Sequence, residues 1–247
     1  MARLALLSDI HSNLPALEAC VEAAHEAGAD RFVLLGDYVG YGGDPVRVLE
    51  RVMELVADGA VAILGNHDDM GADFDHEMTE LAASAANWTR NQLEPEQRAF
   101  LENLPYSVAD DDRLYVHGDA SEPKAWHYVT GARSAAVSLS ASPARITFSG
   151  HVHRPAIFAE DCQREPIRHT PAAGVPVPLM RSRRWHVTLG AVGQPRDGDP
   201  DACWALYDTD TNEITFERTA YDIDAAAASI LAAGLPTGLA RRLYLGV

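Results

Sequence analysis

The chain is poor in cysteine, in positive charge and in long apolar runs. Only three cysteines, Cys20, Cys162 and Cys203, occur in 247 residues. They lie far apart and form no C-x-x-C pair, which argues against a disulfide framework and a structural thiolate zinc site. Such sparse use of cysteine points to a reducing compartment, the cytoplasm. Lysine and arginine total 20 against 36 acids, a formal net charge of −16. That deficit argues against non-specific binding to nucleic acid or to an anionic membrane surface. It leaves phosphate ligands open, because bound metal can invert the charge locally. No stretch approaches the ~18 apolar residues expected of a membrane span. The first apolar run, Leu4–Leu7, is short and Asp9 ends it, so it reads as a strand and not as a signal peptide. Repeats and low-complexity linkers are missing too, and residues 171–178, with three prolines, read as a loop. One domain spanning 1–247 follows, with 47% hydrophobic residues for its core.

What is present alternates. Apolar runs at Leu4–Leu7, Phe32–Leu35 and Val61–Leu64 are separated by helical patterns. The first helix spans about Pro15–Ala27, between Asn13 and Gly28; the second carries Val46, Leu49, Val52 and Val56, between Asp44-Pro45 and Gly59. A mostly helical region follows over about Asp75–Asn103. Strand–helix alternation with continuous apolar runs predicts a buried parallel sheet. From residue 106 the pattern changes to hairpins, Tyr106–Val108 with Arg113–Val116 and Trp204–Tyr207 with Ile214–Phe216. Ile146–Phe148 is a further strand, the C-terminal third reads as antiparallel, and an Ala-rich helix is expected near 222–233.

Polar clusters sit at the ends of five of these runs. Asp9 and His11 follow the first, Gly36-Asp37 the second, and Asn66, His67 and Asp68 the third. His117-Gly118 follows Arg113–Val116, and Gly150-His151-Val152-His153 follows the 146–148 strand. Ligand sites in parallel sheets form beyond the carboxyl ends of the strands. Aspartate, histidine and asparagine without thiolate suit Mn, Fe, Zn, Co or Ni. Seven such side chains, Asp9, His11, Asp37, Asn66, His117, His151 and His153, are too many for one ion and enough for two that share a carboxylate. Any one of these short motifs is commonplace; all five in one order, each after an apolar run, are not.

The order D-x-H, G-D, G-N-H-D, H-G, G-H-x-H resembles the calcineurin-like metallophosphoesterase superfamily. The resemblance covers about residues 5–155, and "VGQPRDGDP" at 192–200 is similar to a later loop of its small bacterial and archaeal members. It implies a four-layer α/β/β/α sandwich of two mixed sheets flanked by helices, with a dinuclear metal centre at the strand ends. It also implies two divalent ions, manganese favoured. Asp9, His11 and His153 would hold one ion, Asn66, His117 and His151 the other, and Asp37 would bridge them. His67 would face the substrate, as proton donor to the leaving group or as a transition-state stabiliser. Asp68 would orient a neighbour. The chain also departs from the protein phosphatases of that superfamily. Leu64 stands where they carry an arginine before G-N-H, and "GDYVGYG" replaces their arginine-bearing G-D stretch. Both arginines that clamp a monoester phosphate are therefore missing there, which favours phosphodiesters or nucleotides over phosphoproteins.

Other residues carry weaker expectations. Trp126 and Tyr128 could stack on a base or sit in the core; Arg196 could contact phosphate or only close a turn. Tyr38 and Tyr41 are expected at the pocket rim. His25, His76, His127, His169 and His186 fall outside the motifs and read as structural or exposed.

Overall fold

The apolar runs become the parallel strands that the alternation requires. In the computed structural model, which describes residues 2–69, 80–160 and 166–247 (without the side chains of 80–82), β1 (Arg3–Leu7) leads through α1 (Leu14–Glu26) to β2 (Arg31–Leu34), and α2 (Pro45–Ala57) leads to β3 (Val61–Ala62). His76 and Cys162 lie outside the described residues. Asn13 caps α1 through a side-chain bond to the Ala16 amide, a proline opens the helix, and Gly28 at φ 75° ends it. Next come α3 (Glu80–Gln92) and α4 (Pro95–Glu102), two helices where one helical region was expected, because Pro95 starts a new first turn.

The remaining elements are β4 (Ser107–Asp110), β5 (Arg113–Val116), α5 (Ala132–Ser140), β6 (Ile146–Ser149), β7 (Ala156–Glu160), β8 (Pro166–His169), β9 (Val177–Pro178), β10 (Trp185–Thr188), β11 (Ala202–Asp208), β12 (Glu213–Thr219), α6 (Ile223–Ala232) and α7 (Thr237–Leu245). One sheet runs β3-β2-β1-β11-β12-β9 and the other β4-β5-β6-β10-β7-β8. Both are mixed. β1, β2 and β3 are parallel, as are β5, β6 and β10, while the remaining strands pair antiparallel with their neighbours.

The pleat assigns alternate residues to different layers. Leu4 and Leu6 enter the core between the sheets, with Phe148, Val187 and Tyr207; Ala5 and Leu7 face α1 and α2 with Leu17 and Val52. Phe158 packs with Ala135 of α5 on the far face of the second sheet. The result is the four-layer α/β/β/α sandwich. A fourth cluster joins α6 and α7, through Ile230, Leu239 and Leu243, to the flank beside Tyr41.

Two expectations change. The C-terminal third is not uniformly antiparallel, because β10 pairs parallel with β6 at the centre of the second sheet. Residues 171–178 are not wholly a loop: Val177-Pro178 forms a two-residue edge strand against β12, short enough to tolerate its proline.

Candidate metal centre

Strand register brings the five polar clusters to one end of the sandwich. Leu7 pairs with Leu34, and Leu34 with Ala62, so Asp9, Asp37 and Asn66 emerge past adjacent strand ends. The other sheet does the same with His117 after β5 and His151 after β6. The loops then fold onto one another. The Asp9 amide donates to Gly36 O and the His11 amide to Asp37 O, and the Gly150 amide to His117 O.

These loops hold unusual backbone. Asp9, His11, Asp37, His151 and His153 all have φ between 49° and 68°, a region that non-glycine residues rarely occupy. Left-handed residues at consecutive loops aim side chains inward that a strand would alternate outward, and the cost of such conformations is met by the surrounding packing. Glycines allow the close approach. A Cβ on Gly36 would lie 2.5 Å from the Gly65 amide nitrogen, and one on Gly150 would lie 1.8 Å from Ser8 Oγ.

The seven side chains converge into two overlapping groups. Asp9, His11, Asp37 and His153 offer ligand atoms within 4.8 Å of one another, as do Asp37, His117 and His151. Asp37 belongs to both. Its Oδ2 lies 3.3 Å from His117 Nε2 and 3.6 Å from His11 Nε2, and Asp9 Oδ1 lies 3.2 Å from His153 Nε2. Asn66 joins the second group through its side-chain oxygen, 3.1 Å from His117 Nε2.

The histidine tautomers show what the cluster is built for. Nδ1 of His11, His117 and His153 each faces a backbone carbonyl, that of Val39 at 3.0 Å, Leu35 at 2.7 Å and Gln194 at 2.6 Å. A carbonyl only accepts, so in each of the three Nδ1 carries a proton and Nε2 is the nitrogen that faces inward. Yet His11 Nε2 and His153 Nε2 stand 3.1 Å apart, and His117 Nε2 meets the acceptor oxygen of Asn66. Each of these inward atoms can offer a lone pair, so a cation among them would meet several donors at once. The donor set therefore fits divalent metal, and the carbonyls stand where outer partners would orient ligating histidines.

Within the cluster the charges lean on one another. Burial disfavours the Asp9 and Asp37 charges, but the histidines around them outweigh it and hold both carboxyls below their ordinary range. Burial pulls His11 well below its ordinary value and His151 to about 3. Burial acts in the same direction on His117, but Asp37 overrides it and raises this imidazole to about 9.

Asp68 sits between two of the loops. Its carboxylate accepts from the amides of Asp37 (2.7 Å), Tyr38 (2.8 Å), Val39 (3.2 Å) and Gly65 (3.0 Å), which ties the second and third clusters together. Burial and the nearby Asp37 charge push Asp68 up to about 7, against these bonds. His67 stands beside the cluster. Its amide donates to Asp37 Oδ1, its ring lies 4.9 Å from that of His11 and 4.6 Å from that of Tyr41, and burial draws its pKa to about 4.

Trp126 is half-buried, with its ring edge-on to His117 at 5.8 Å, and Tyr128 is exposed and stacked on His151 at 3.9 Å. Both therefore border the site. Tyr41 is at the rim as expected, whereas Tyr38 is fully buried, its hydroxyl bonded to Leu34 O and Ile63 O. Arg196 reaches the Tyr41 ring. His25, His127 and His169 are exposed, and His186 is buried in the second sheet. Sequence reasoning missed the orienting carbonyls, whose identity carries no side-chain signal, and Arg242, which the C-terminal helix brings to the rim from far along the chain.

This constellation on two mixed sheets is that of a metal-dependent phosphoesterase. The model of the calcineurin-like phosphoesterase superfamily domain matches residues 2–212, and the chain belongs to that superfamily, a phosphoric ester hydrolase by descent. A metallophosphoesterase from Sphaerobacter thermophilus is 38% identical, with a TM-score of 0.87 over 99% of this chain and 100% of that one. A protein of Methanocaldococcus jannaschii is 29% identical over 98% of both chains. Phosphodiesterase YfcE of Escherichia coli is 34% identical over 133 residues, 47% of this chain and 69% of the relative.

Proposed function

We propose that the protein is a dinuclear metal-dependent phosphodiesterase acting on small phosphodiesters or nucleotides. The observation that carries this reading is the pair of overlapping ligand groups that share Asp37. Asp9, His11 and His153 would hold one ion, Asn66, His117 and His151 the other, and the Asp37 carboxylate would lie between them. Aspartate, asparagine and imidazole together suit a borderline transition metal, manganese first.

When bound, two such ions supply positive charge for the phosphoryl oxygens and lower the pKa of water at the centre. The chain's own residues do the rest. The carbonyls of Val39, Leu35 and Gln194 fix three imidazoles so that Nε2 faces inward. Asp68 fixes the Asp37 and Gly65 loops against each other. His67, held beside the cluster through its amide bond to Asp37, is placed to donate toward the leaving oxygen or the phosphoryl group, a contribution of typically ~10²–10⁴-fold. Trp126 and Tyr128 present aromatic faces beside His117 and His151, which suits a base or an aryl leaving group.

Neither half of a monoester clamp is present at Leu64 or in the 36–42 loop. Metal-loaded protein is therefore expected to hydrolyse bis-p-nitrophenyl phosphate and to leave phosphoserine peptides almost untouched; turnover of the peptides without turnover of the diester would reverse the assignment. Cys20 and Cys203 are free and buried, which accords with a reducing, cytoplasmic setting, and no helix among the described residues is long and apolar enough to cross a membrane.

A further inference from the structure

The ring of Tyr41 separates the histidines of the centre from two arginines. Its centroid lies 4.7 Å from that of His11 and 4.6 Å from that of His67. Arg196 Cζ stands 5.7 Å from the same ring and Arg242 Cζ 6.0 Å. Arg196 comes from the loop after β10 and Arg242 from α7, beyond the residues 2–212 that the superfamily model matches. Contact with an aromatic face steers a guanidinium without neutralising it.

Their other partners do not neutralise them with an acidic side chain. Arg196 donates from Nη2 to Gln194 Oε1 at 3.0 Å, and its Nε is buried without a hydrogen-bond partner. Arg242 donates from Nε to Val247 O at 2.7 Å. Arg113, Arg145 and Arg218 meet aspartates and Arg51 meets glutamates, whereas Arg196 and Arg242, like Arg184, pair with no Asp or Glu among the described residues. Burial and the nearby Arg196 charge lower the Arg242 pKa from its ordinary value, so the two cations sense each other. Arg242 already meets Val247 O and Arg196 meets Gln194 Oε1, but two guanidiniums at one ring beside the histidine cluster also form a patch of positive charge that an anion reaching both would join.

We propose that Arg196 and Arg242 bind a second phosphate of the substrate, one that is not cleaved, and so select phosphodiesters or nucleotides that carry an additional phosphate group. The inference rests on the reading of the centre as a phosphodiesterase site. Tyr41 acts as the spacer that sets how far the second phosphate lies from the scissile one. This division of labour also accounts for the missing clamp. The positive charge lacking at Leu64 and in the 36–42 loop is supplied from a different element, one phosphate further out.

The test compares thymidine 3′,5′-bisphosphate with thymidine 5′-monophosphate, by calorimetric titration into full-length manganese-loaded protein. The bisphosphate is expected to bind about tenfold tighter or more, the scale of one added charge-assisted contact. In Arg242→Gln the ratio should fall toward one, with Arg242→Lys intermediate and metal content and melting temperature unchanged. Equal affinities in the unmodified protein, or a ratio that survives Arg242→Gln, would overturn the proposal. The p-nitrophenyl esters of the same two nucleotides then separate the two readings. Preferential binding of the bisphosphate with neither ester hydrolysed keeps the anion site and refutes the diesterase. Hydrolysis of both with no bisphosphate preference does the reverse.

Discussion

Asp37 and His67 are joined by one hydrogen bond, from the His67 amide to Asp37 Oδ1, and are assigned opposite kinds of work. Asp37 is common to both ligand groups, so Asp37→Asn removes a negative charge where two cations would meet, and metal occupancy should fall at one or both sites. His67 meets the cluster through its backbone amide and through an edge-on ring contact with His11. His67→Gln should keep metal content and melting temperature and lower kcat by about 10²-fold or more, less so for good leaving groups such as p-nitrophenolate. Metal analysis and rates across leaving groups of rising pKa check both; metal loss in His67→Gln would make it a ligand. Asp68 is a third kind of residue. Its four amide donors would face the weaker acceptor and the NH2 group of an asparagine, so Asp68→Asn should cost about 1–3 kcal/mol in denaturant unfolding of the metal-free protein. At this scale the candidate site was largely legible, because ligands must be particular side chains at particular strand ends. Arg242 was illegible for the complementary reason: one arginine among many on a helix, it gains meaning only from the packing of α7 beside Tyr41.

Among the elements, the inner parallel strands were legible and several others were not. β1, β2 and the start of β3 are continuous apolar runs because both their faces are covered. β10, at the centre of the second sheet, has histidine and threonine on one face, and both are buried; its tetrapeptide Trp-His-Val-Thr imitates a half-exposed edge. β8 is largely exposed and pairs only at the sheet margin, while α5 and α7 are short, nine-residue helices. The turns after the strands matter as much as the strands. A Cβ on Gly150 would lie 2.8 Å from Asp9 Oδ2 as well as against Ser8 Oγ. Gly150→Ala should therefore displace the Asp9 loop and weaken metal binding at least tenfold, with a fall in melting temperature that added metal only partly restores. Unchanged metal affinity in that variant would mean that the loop is not set by this contact.

Across the whole molecule, stacked layers convert two independent sheets into one site, and they also bury groups that play no part in it. His186 lies within the second sheet with Nε2 2.9 Å from Ser149 Oγ, and burial lowers its pKa to about 4. The unfolded chain protonates this histidine near 6.5, so its contribution to stability is complete above that pH and is lost as pH falls from about 6.5 to about 4. In metal-free protein, His186→Gln should flatten that part of the melting-temperature profile relative to the unmodified chain; an identical slope would show that His186 does not titrate there. The four layers also fix how the centre can be occupied, since Asp9, His11 and Asp37 come from one sheet and His117, His151 and His153 from the other. The most direct test of that shared centre is the metal-to-protein ratio after manganese reconstitution and exhaustive dialysis, read by elemental analysis. Two ions per chain, falling in Asp37→Asn, is the expected result; a ratio of one or zero in the unmodified protein would contradict the dinuclear account.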